Sequence, residues 1–389
     1  MSDVPSDLFR DILLRLPADS LLRFRAVCKD WRRTIDSSSF IKSHTLYQHH
    51  SHTPTLLLRD SVFCRLYSLS LHPPLTYAHL TRIKTLVRTG VPLLRHLPTT
   101  SCNGLLLISH YNFTKKWVVW NPLTREFHTL PEPDFHIDIP FAGVGIGYDL
   151  SSDDYKVVKI YYWYRDGKIV YTTLIYSLKT GSWKPIKDFP CDSILLRSEG
   201  VYLDGALHWL SENVIMALDL GIEEYRLVLP PLTTRLGEPL DMYVDAMDGC
   251  LILSCYYTSE GLLMDGYECL EGWVMEGAEW VKLFSFGEEA KAVSVAAVMR
   301  EVRPVAYLKS RGQVFLHHDR HFYCLDVCKN SGKKVSIQGL PQCFTCQDFR
   351  GSLVRLVDHH HGVAGKRSKA GVNWKKKKRD QTRFFFFFF

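Results

Sequence analysis

The sequence lacks several features that would place the protein outside the cell or in a membrane. No run of 18 consecutive apolar residues occurs, which a membrane-spanning helix would need. The acidic N-terminus has no apolar segment of signal-peptide length. The 11 cysteines are an odd number, scattered from Cys28 to Cys346 rather than densely paired as in a secreted disulfide scaffold. We therefore expect an intracellular protein, in the cytoplasm, the nucleus or both, without a membrane partner.

A basic face is also missing from most of the chain. The formal charge is +7, but residues 358–389 contain nine Lys or Arg and two Asp, which leaves 39 basic and 39 acidic residues elsewhere. Capture of a nucleic acid backbone needs a basic surface, so the neutral body predicts no nucleic acid partner. Residues 358–389 are predicted to be a basic, disordered tail.

Two amphipathic stretches open the chain. Leu8, Ile12 and Leu16 recur at every fourth position, which predicts a helix that ends at Pro17. A second stretch repeats apolar residues at spacings of three and four from Phe24 to Ile35. Periodicity alone leaves two readings open, a cap on a larger domain or a hook for a partner. So few residues cannot bury all of these apolar side chains, and that excess favours a protein partner.

The same residues resemble the F-box motif. The matching positions are Pro5, Leu8, Ile12, Leu13, Leu16, Pro17, Ser20, Leu21, Phe24, Val27, Cys28, Lys29, Trp31 and Phe40. The resemblance implies a three-helix domain over residues 1–43 that binds a Skp-type adaptor, and through it cullin and RING proteins. The adaptor-binding residues that it implies are Pro5, Leu8, Ile12, Leu13, Leu16, Pro17, Leu21, Val27, Cys28 and Trp31.

The remainder of the chain has the pattern of a β domain. Residues 44–54 are polar and His-rich without periodicity, and are predicted to be a linker. From residue 55 to 357, short apolar runs alternate with Gly, Pro, Asn and Asp, which is typical of strands. Equivalent residues recur about every 50 positions, as in kelch-type propeller blades; they are Tyr67, Trp120, Tyr176, Leu218, Trp273 and Leu325.

This spacing predicts a six-bladed, kelch-like β-propeller, with a β-sandwich as the structural alternative. A strand over residues 352–357 is expected to close the ring by joining the first blade.

Several segments of the β domain resemble the F-box-associated domain of plant F-box proteins. Examples are NGLLLI at 103–108, WNPLTREFHTLP at 120–131 and GIGYDLSSDDYKVVKI at 145–160. The resemblance implies a non-catalytic, substrate-recognition subunit of an SCF-type ubiquitin ligase, whose β domain selects a target protein for degradation. The alternative is a stand-alone propeller that binds a ligand or catalyses a reaction, with the helices as its cap.

Motifs for catalysis, cofactors or metals are not predicted. Gly143, Gly145 and Gly147 precede a turn and a strand rather than a helix, which excludes a dinucleotide loop and favours close packing of a strand. Asp153 and Asp154 are interpreted as solvated turn residues. His208 is interpreted as a packed strand residue. Zinc ligation by Cys324, Cys328, Cys343 and Cys346 is disfavoured, because one pair falls in a predicted strand and turn.

One aromatic run is a candidate for target binding. Four aromatic residues at 161–164 are followed by Arg165, at a predicted hairpin tip. Alternation along a strand sends two of the four inward and leaves the others free. Because aromatic residues and Arg dominate binding hot spots, Tyr162, Tyr164 and Arg165 form the candidate patch. Packing at a core or a sheet edge is the alternative.

Overall fold

The fold is described from a computed structural model of the chain. It describes residues 6–49, 55–62, 65–72, 77–83, 98–110, 116–133, 141–190, 199–231, 239, 241–257, 269–286, 302–329 and 331–356. The predicted tail at 358–389 and the second half of the predicted linker lie outside these residues. None of the helices in the described part of the chain is long and apolar enough to cross a membrane.

Four helices form the N-terminal part, one more than expected. They are α1 (Ser6–Leu14), α2 (Ala18–Phe24), α3 (Lys29–Ile35) and α4 (Ser38–His49). Pro17 directly precedes α2, and the Cys28 thiol caps α3 by accepting a hydrogen bond from the Trp31 amide. The interior is small and apolar, with Leu13, Leu21, Ile35 and Phe40 all buried.

Helix α4 extends into the segment 44–54 that the sequence predicts as a linker, so this prediction is wrong for residues 44–49. His44 and Thr45 are buried although they are polar. The Thr45 hydroxyl donates to the Ile41 carbonyl one turn back, at 2.9 Å. The inward face of α4 is therefore partly polar, and hydropathy alone does not predict this helix.

The β domain consists of six four-stranded antiparallel sheets. The first contains β1 (Thr55–Asp60), β2 (Leu66–His72), β3 (Tyr77–Ile83) and, from the other end of the domain, β24 (Phe344–Asp348). The second contains β4 (Pro98–Cys102), β5 (Leu105–His110), β6 (Lys116–Asn121) and β7 (Glu126–Thr129). The third contains β8 (Phe141–Asp149), β9 (Asp154–Arg165), β10 (Lys168–Ser177) and β11 (Ser182–Ile186).

Each of the remaining three sheets contains four strands that are consecutive in the sequence. The fourth contains β12 (Val201–Leu203), β13 (Ala206–Ser211), β14 (Val214–Asp219) and β15 (Glu224–Val228). The fifth contains β16 (Asp241–Met247), β17 (Cys250–Tyr257), β18 (Cys269–Glu276) and β19 (Glu279–Phe286). The sixth contains β20 (Arg303–Leu308), β21 (Gln313–His318), β22 (His321–Asp326) and β23 (Ser331–Val335).

These sheets confirm the predicted six-bladed propeller and exclude the sandwich. Each of the six recurring residues lies on the third strand of its blade, counted from the ring axis. The innermost strands β4, β8, β12, β16, β20 and β24 succeed one another around the axis. Strands in the middle of a blade are covered on both faces by neighbouring blades, and β17 is accordingly buried along its whole length.

The turns that leave the inner strands are set by the sequence. Asn103-Gly104, Asp204-Gly205 and Asp248-Gly249 each have two positive φ angles, the requirement of a tight type I′ hairpin turn. These turns share one end of the ring with α4, which we call the helix face. The opposite end, where β9 turns into β10, is called the far face.

Ring closure differs from the prediction. Strand β24 pairs with β1, with Leu58 opposite Cys346, and the Phe349 amide makes the next hydrogen bond to the Thr55 carbonyl. Residues 351–356 form no strand. The apolar residues that suggested a strand are buried for another reason, because residues 349–356 run between the ring and the helices. We call these residues the C-terminal strap.

Candidate partner-binding surfaces

An apolar surface is exposed on the N-terminal helices. Leu8 and Ile12 on α1 and Val27 before α3 are 57%, 56% and 59% exposed. Cys28 and Pro17 are also exposed, and Leu16 and Trp31 are half-buried. Three large apolar side chains left in water on so small a domain favour an interface, because exposed apolar clusters mark binding sites.

Not every residue implied by the F-box resemblance lies on this surface. Leu13 and Leu21 are buried in the helical interior, so they support the surface from within and have no area left for a partner. The reason is periodicity, because consecutive apolar residues such as Ile12 and Leu13 face different sides of one helix. Pro5 lies outside the described residues.

The Leu16–Pro17 corner is held from behind by α4. The Leu16 carbonyl accepts hydrogen bonds from His44 Nε2 at 2.8 Å and from Gln48 Nε2 at 3.4 Å. Burial lowers the pKa of His44, while the bond to Leu16 opposes that shift. The imidazole also stacks on Phe40, at a ring separation of 6.0 Å. A neutral His44 therefore fixes the corner between α1 and α2.

The C-terminal strap joins the helices to the ring. Leu353 lies in the helical interior with Leu13 and Phe40. Arg350 Nη1 donates to the carbonyl of Gln48 on α4 at 3.0 Å, and Arg355 Nη2 lies 3.4 Å from the Asp36 carboxylate. The N-terminal helices and the propeller are consequently packed together rather than joined by residues 50–54 alone.

The predicted target-binding residues lie on a hairpin at the far face. The pairing of β8 with β9 ends at Tyr161, and the pairing of β11 with β10 ends at Thr173. Beyond these residues, the pairing described is that of β9 with β10. Tyr164 is 63% exposed, Arg165 is exposed, and Tyr162 is half-buried against the blade core. The Tyr162 and Tyr164 rings lie on one side of β9 in an edge-to-face arrangement, 6.5 Å apart. The structure thus places an aromatic pair and an exposed Arg165, which lies 3.9 Å from the Asp166 carboxylate, at the end of one hairpin.

A channel of about 810 Å³ runs along the propeller axis. Its lining includes Glu199, Asp245, Asp348, Arg303 and Arg350, which come from different inner strands and from the segments next to them. Arg350 is the link to the helix face, because its guanidinium lies 3.6 Å from Asp248 and 3.9 Å from Asp348. Sequence reasoning missed these residues, since no short motif signals groups that meet only when six blades close into a ring.

Burial within the ring changes the protonation of the channel carboxylates. It raises the pKa of Asp245 to about 7, against the opposing effect of Arg303 and with smaller contributions from Glu199 and Asp348. Burial likewise raises the pKa of Asp348 to about 6. The Arg303 guanidinium lies over the Tyr243 ring, 4.1 Å from its centre. The channel is therefore polar and mixed in charge.

The motifs set aside in the sequence have structural explanations. Close packing explains Gly145 and Gly147, because a Cβ there would lie 2.9 Å from Leu207 and 2.4 Å from Leu220 on the next blade. His208 is buried on β13, where desolvation lowers its pKa to about 4. The interpretation of Asp154 as a solvated turn residue is wrong, because Asp154 is buried and accepts a hydrogen bond from the Lys179 amide.

Asp153, the other member of that pair, bonds with Tyr148 and Lys42. Within the described ranges, no group of three or more His, Cys, Asp or Glu is placed to hold a metal ion.

Comparisons with known proteins agree with both halves of this architecture. Residues 1–43 match the F-box domain, and residues 81–339 match the F-box associated beta propeller domain. The F-box protein CPR1 of Arabidopsis thaliana is 29% identical, over 91% of this chain and 89% of that protein. An F-box/kelch-repeat protein of the same plant is 27% identical, over 84% of this chain and 88% of that protein.

Among solved structures, an oligogalacturonate lyase in complex with manganese is 12% identical and superposes with a TM-score of 0.41, covering 72% of this chain and 78% of the lyase. That likeness carries no argument about activity. The F-box associated beta propeller match, by contrast, covers well over half of the chain. The chain therefore belongs to the F-box associated beta propeller family, with an F-box domain ahead of its propeller.

Proposed function

We propose that the protein is the substrate-recognition subunit of an SCF-type ubiquitin ligase. The F-box helices bind a Skp-type adaptor, which bridges to cullin and RING proteins, and the propeller holds a target protein. The observation that carries this proposal is the exposure of three large apolar side chains, Leu8, Ile12 and Val27, on a domain that matches the F-box.

The proposed chemistry requires no catalytic group in this chain. A target held on the propeller has its lysines kept at a high effective concentration near the ubiquitin-charged enzyme, which the other subunits supply. Bond formation takes place on those subunits. The protein contributes the choice of target and its placement.

Adaptor binding is tested by placing a charge on the exposed face. The variant Ile12→Asp should weaken adaptor binding by roughly tenfold or more, because a carboxylate buried in an apolar interface loses its hydration without gaining a partner. Binding of the purified full chain to a Skp-type adaptor is measured by calorimetry.

The matched control is Ile222→Asp. Ile222 is 69% exposed, but it lies in the turn between β14 and β15 on the propeller. This variant should bind the adaptor like the unmodified protein. Equal affinity of Ile12→Asp and Ile222→Asp would contradict the docking assignment.

Target binding is assigned to the far face, at Tyr162, Tyr164 and Arg165. The support is the aromatic pair and the exposed Tyr164 and Arg165 at the end of the β9–β10 hairpin. These side chains offer apolar contact, cation–π contact and hydrogen bonds to a partner. A protein target with apolar and acidic residues is the complementary partner.

The double variant Tyr164→Ala, Arg165→Ala should lose specific targets from the set that the protein captures. The capture uses full-length chain that also carries Ile12→Asp, so that bound targets are not passed to the ligase. Captured proteins are compared by quantitative mass spectrometry with and without the hairpin changes. An unchanged set would remove the hairpin from the target site.

A further inference from the structure

The helical interior is completed by a residue from the far end of the described chain. Leu353 is 3% exposed and lies in one apolar cluster with Leu13, Leu21, Ile35 and Phe40. These four partners all precede the propeller, whereas Leu353 follows its last strand. The half-buried Leu16 and Trp31 pack against the same cluster. A bundle of this size has little core to spare, so each buried apolar side chain is a large share of it.

Charged contacts extend the same junction. Arg355 pairs with Asp36 at the end of α3, which also pairs with Arg25 at 2.6 Å. Arg350 donates to the Gln48 carbonyl in the last turn of α4, where free carbonyls favour a cation. The strap therefore contacts the helices at three separate points, through Arg350, Leu353 and Arg355.

The second blade fixes the strap on its other side. Asn121 Nδ2 donates to the carbonyls of Ser352 at 3.1 Å and Val354 at 2.7 Å, and the Leu356 amide donates to the Glu126 carboxylate at 2.9 Å. Gly104 leaves room for the passing backbone, because a Cβ there would lie 2.6 Å from the Arg350 carbonyl. The strap has one fixed path over the ring.

The path begins at the strand that closes the propeller. Strand β24 pairs with β1, and the strap follows β24 without a break. Leu353 follows the last residue of β24 by only five positions, so the pairing of β24 with the first blade brings Leu353 to the helical interior. Ring closure and completion of the helical interior are thus linked by the chain itself.

We propose that the C-terminal strap is an integral part of the F-box domain, and that Leu353 is the residue that completes it. It follows that the adaptor is bound tightly only by a chain whose propeller has closed, so an incompletely folded recognition domain does not recruit the ligase. The binding half of this inference rests on the function proposed above. Its structural half does not.

The test compares two neighbouring residues of the strap in the full-length protein. Leu353 faces the helices, while Val354 is 8% exposed and packs into the propeller core with Val119 and Ile146. Leu353→Ala removes about three carbon atoms and Val354→Ala about two, from opposite sides of one segment. Adaptor affinity and hydrogen exchange of the amides in α2, α3 and β5 are measured for both variants.

Leu353→Ala should weaken adaptor binding by about tenfold and accelerate exchange in α2 and α3 by a similar factor, with β5 unchanged. Val354→Ala should leave adaptor affinity within about twofold, since its cavity forms in the ring. The inference is overturned if Leu353→Ala changes neither the adaptor affinity nor the exchange rates in α2 and α3. This holds even if the unmodified protein binds the adaptor normally. If the unmodified protein fails to bind any Skp-type adaptor, the proposed function and the binding half fall together. The exchange rates then decide the structural half.

Discussion

The surroundings of Asp245 disfavour the ionised form of its carboxyl group. Its carboxylate lies within the ring, where burial and the nearby Glu199 and Asp348 disfavour ionisation more than Arg303 favours it, so the pKa rises from 3.8 to about 7. A carboxyl group whose folded pKa exceeds its unfolded pKa binds its proton more tightly in the folded state. Its contribution to stability is therefore fully present below about pH 4 and is lost as the pH rises through 7.

The variant Asp245→Asn should make the protein more stable at pH 8 and remove part of this pH dependence. One pKa unit corresponds to about 1.4 kcal/mol, so the gain in unfolding free energy at pH 8 should be on the order of 2–4 kcal/mol. At pH 4, where the carboxyl group is neutral, the variant should resemble the unmodified protein. Denaturant unfolding at both pH values measures the difference.

Asp166→Asn provides the control for this substitution. Asp166 lies in the turn of the far-face hairpin with its side chain almost fully exposed, and it tolerates Asn because both residues accept a positive φ. Its substitution should leave stability unchanged at either pH. A gain from Asp245→Asn that is the same at pH 4 and pH 8 would show that shape, rather than charge, sets its effect.

At the scale of single elements, the sequence predicts the helices and strands whose apolar residues repeat at a regular spacing. Helix α1 follows from the spacing of Leu8 and Ile12, although it ends at Leu14, before the Leu16 that the same spacing includes. The third strands of the blades follow from residues such as Trp120 and Tyr176. Both rest on local periodicity, which tertiary contacts here reinforce. The tight hairpins at Asp-Gly and Asn-Gly pairs are local in the same sense.

Helix α4 and the strap follow from contacts that periodicity does not contain. His44 is buried because its ring bonds with the Leu16 carbonyl, and without that acceptor an interior histidine would be unfavourable. Leu353 and Val354 alternate like residues of an edge strand, but one faces the helices and the other faces the ring. Only the relative placement of helices and blades distinguishes these cases, and no segment of the sequence encodes it alone.

In the whole molecule, the candidate adaptor-binding surface and the candidate target-binding surface lie toward opposite ends of the propeller axis. The exposed face of Leu8, Ile12 and Val27 lies with the helices, while Tyr164 and Arg165 lie at the far face. The strap crosses the ring at the helix face only and makes no described contact with the far-face hairpin. Among the described residues, the two surfaces share no partner, and distant sites without shared partners act additively.

The protein that combines Ile12→Asp with Tyr164→Ala and Arg165→Ala should therefore show two independent losses. Its affinity for the adaptor should equal that of Ile12→Asp alone, and its captured targets should equal those of the hairpin variant alone. Coupling between distant sites should stay within about 0.5 kcal/mol, or roughly twofold in affinity. Calorimetry of the unmodified protein with the adaptor, before and after saturation with a captured target, measures this coupling directly. A target that changes adaptor affinity by tenfold or about 1.4 kcal/mol would contradict independence, and would mean that the propeller transmits target binding from the far face to the helices.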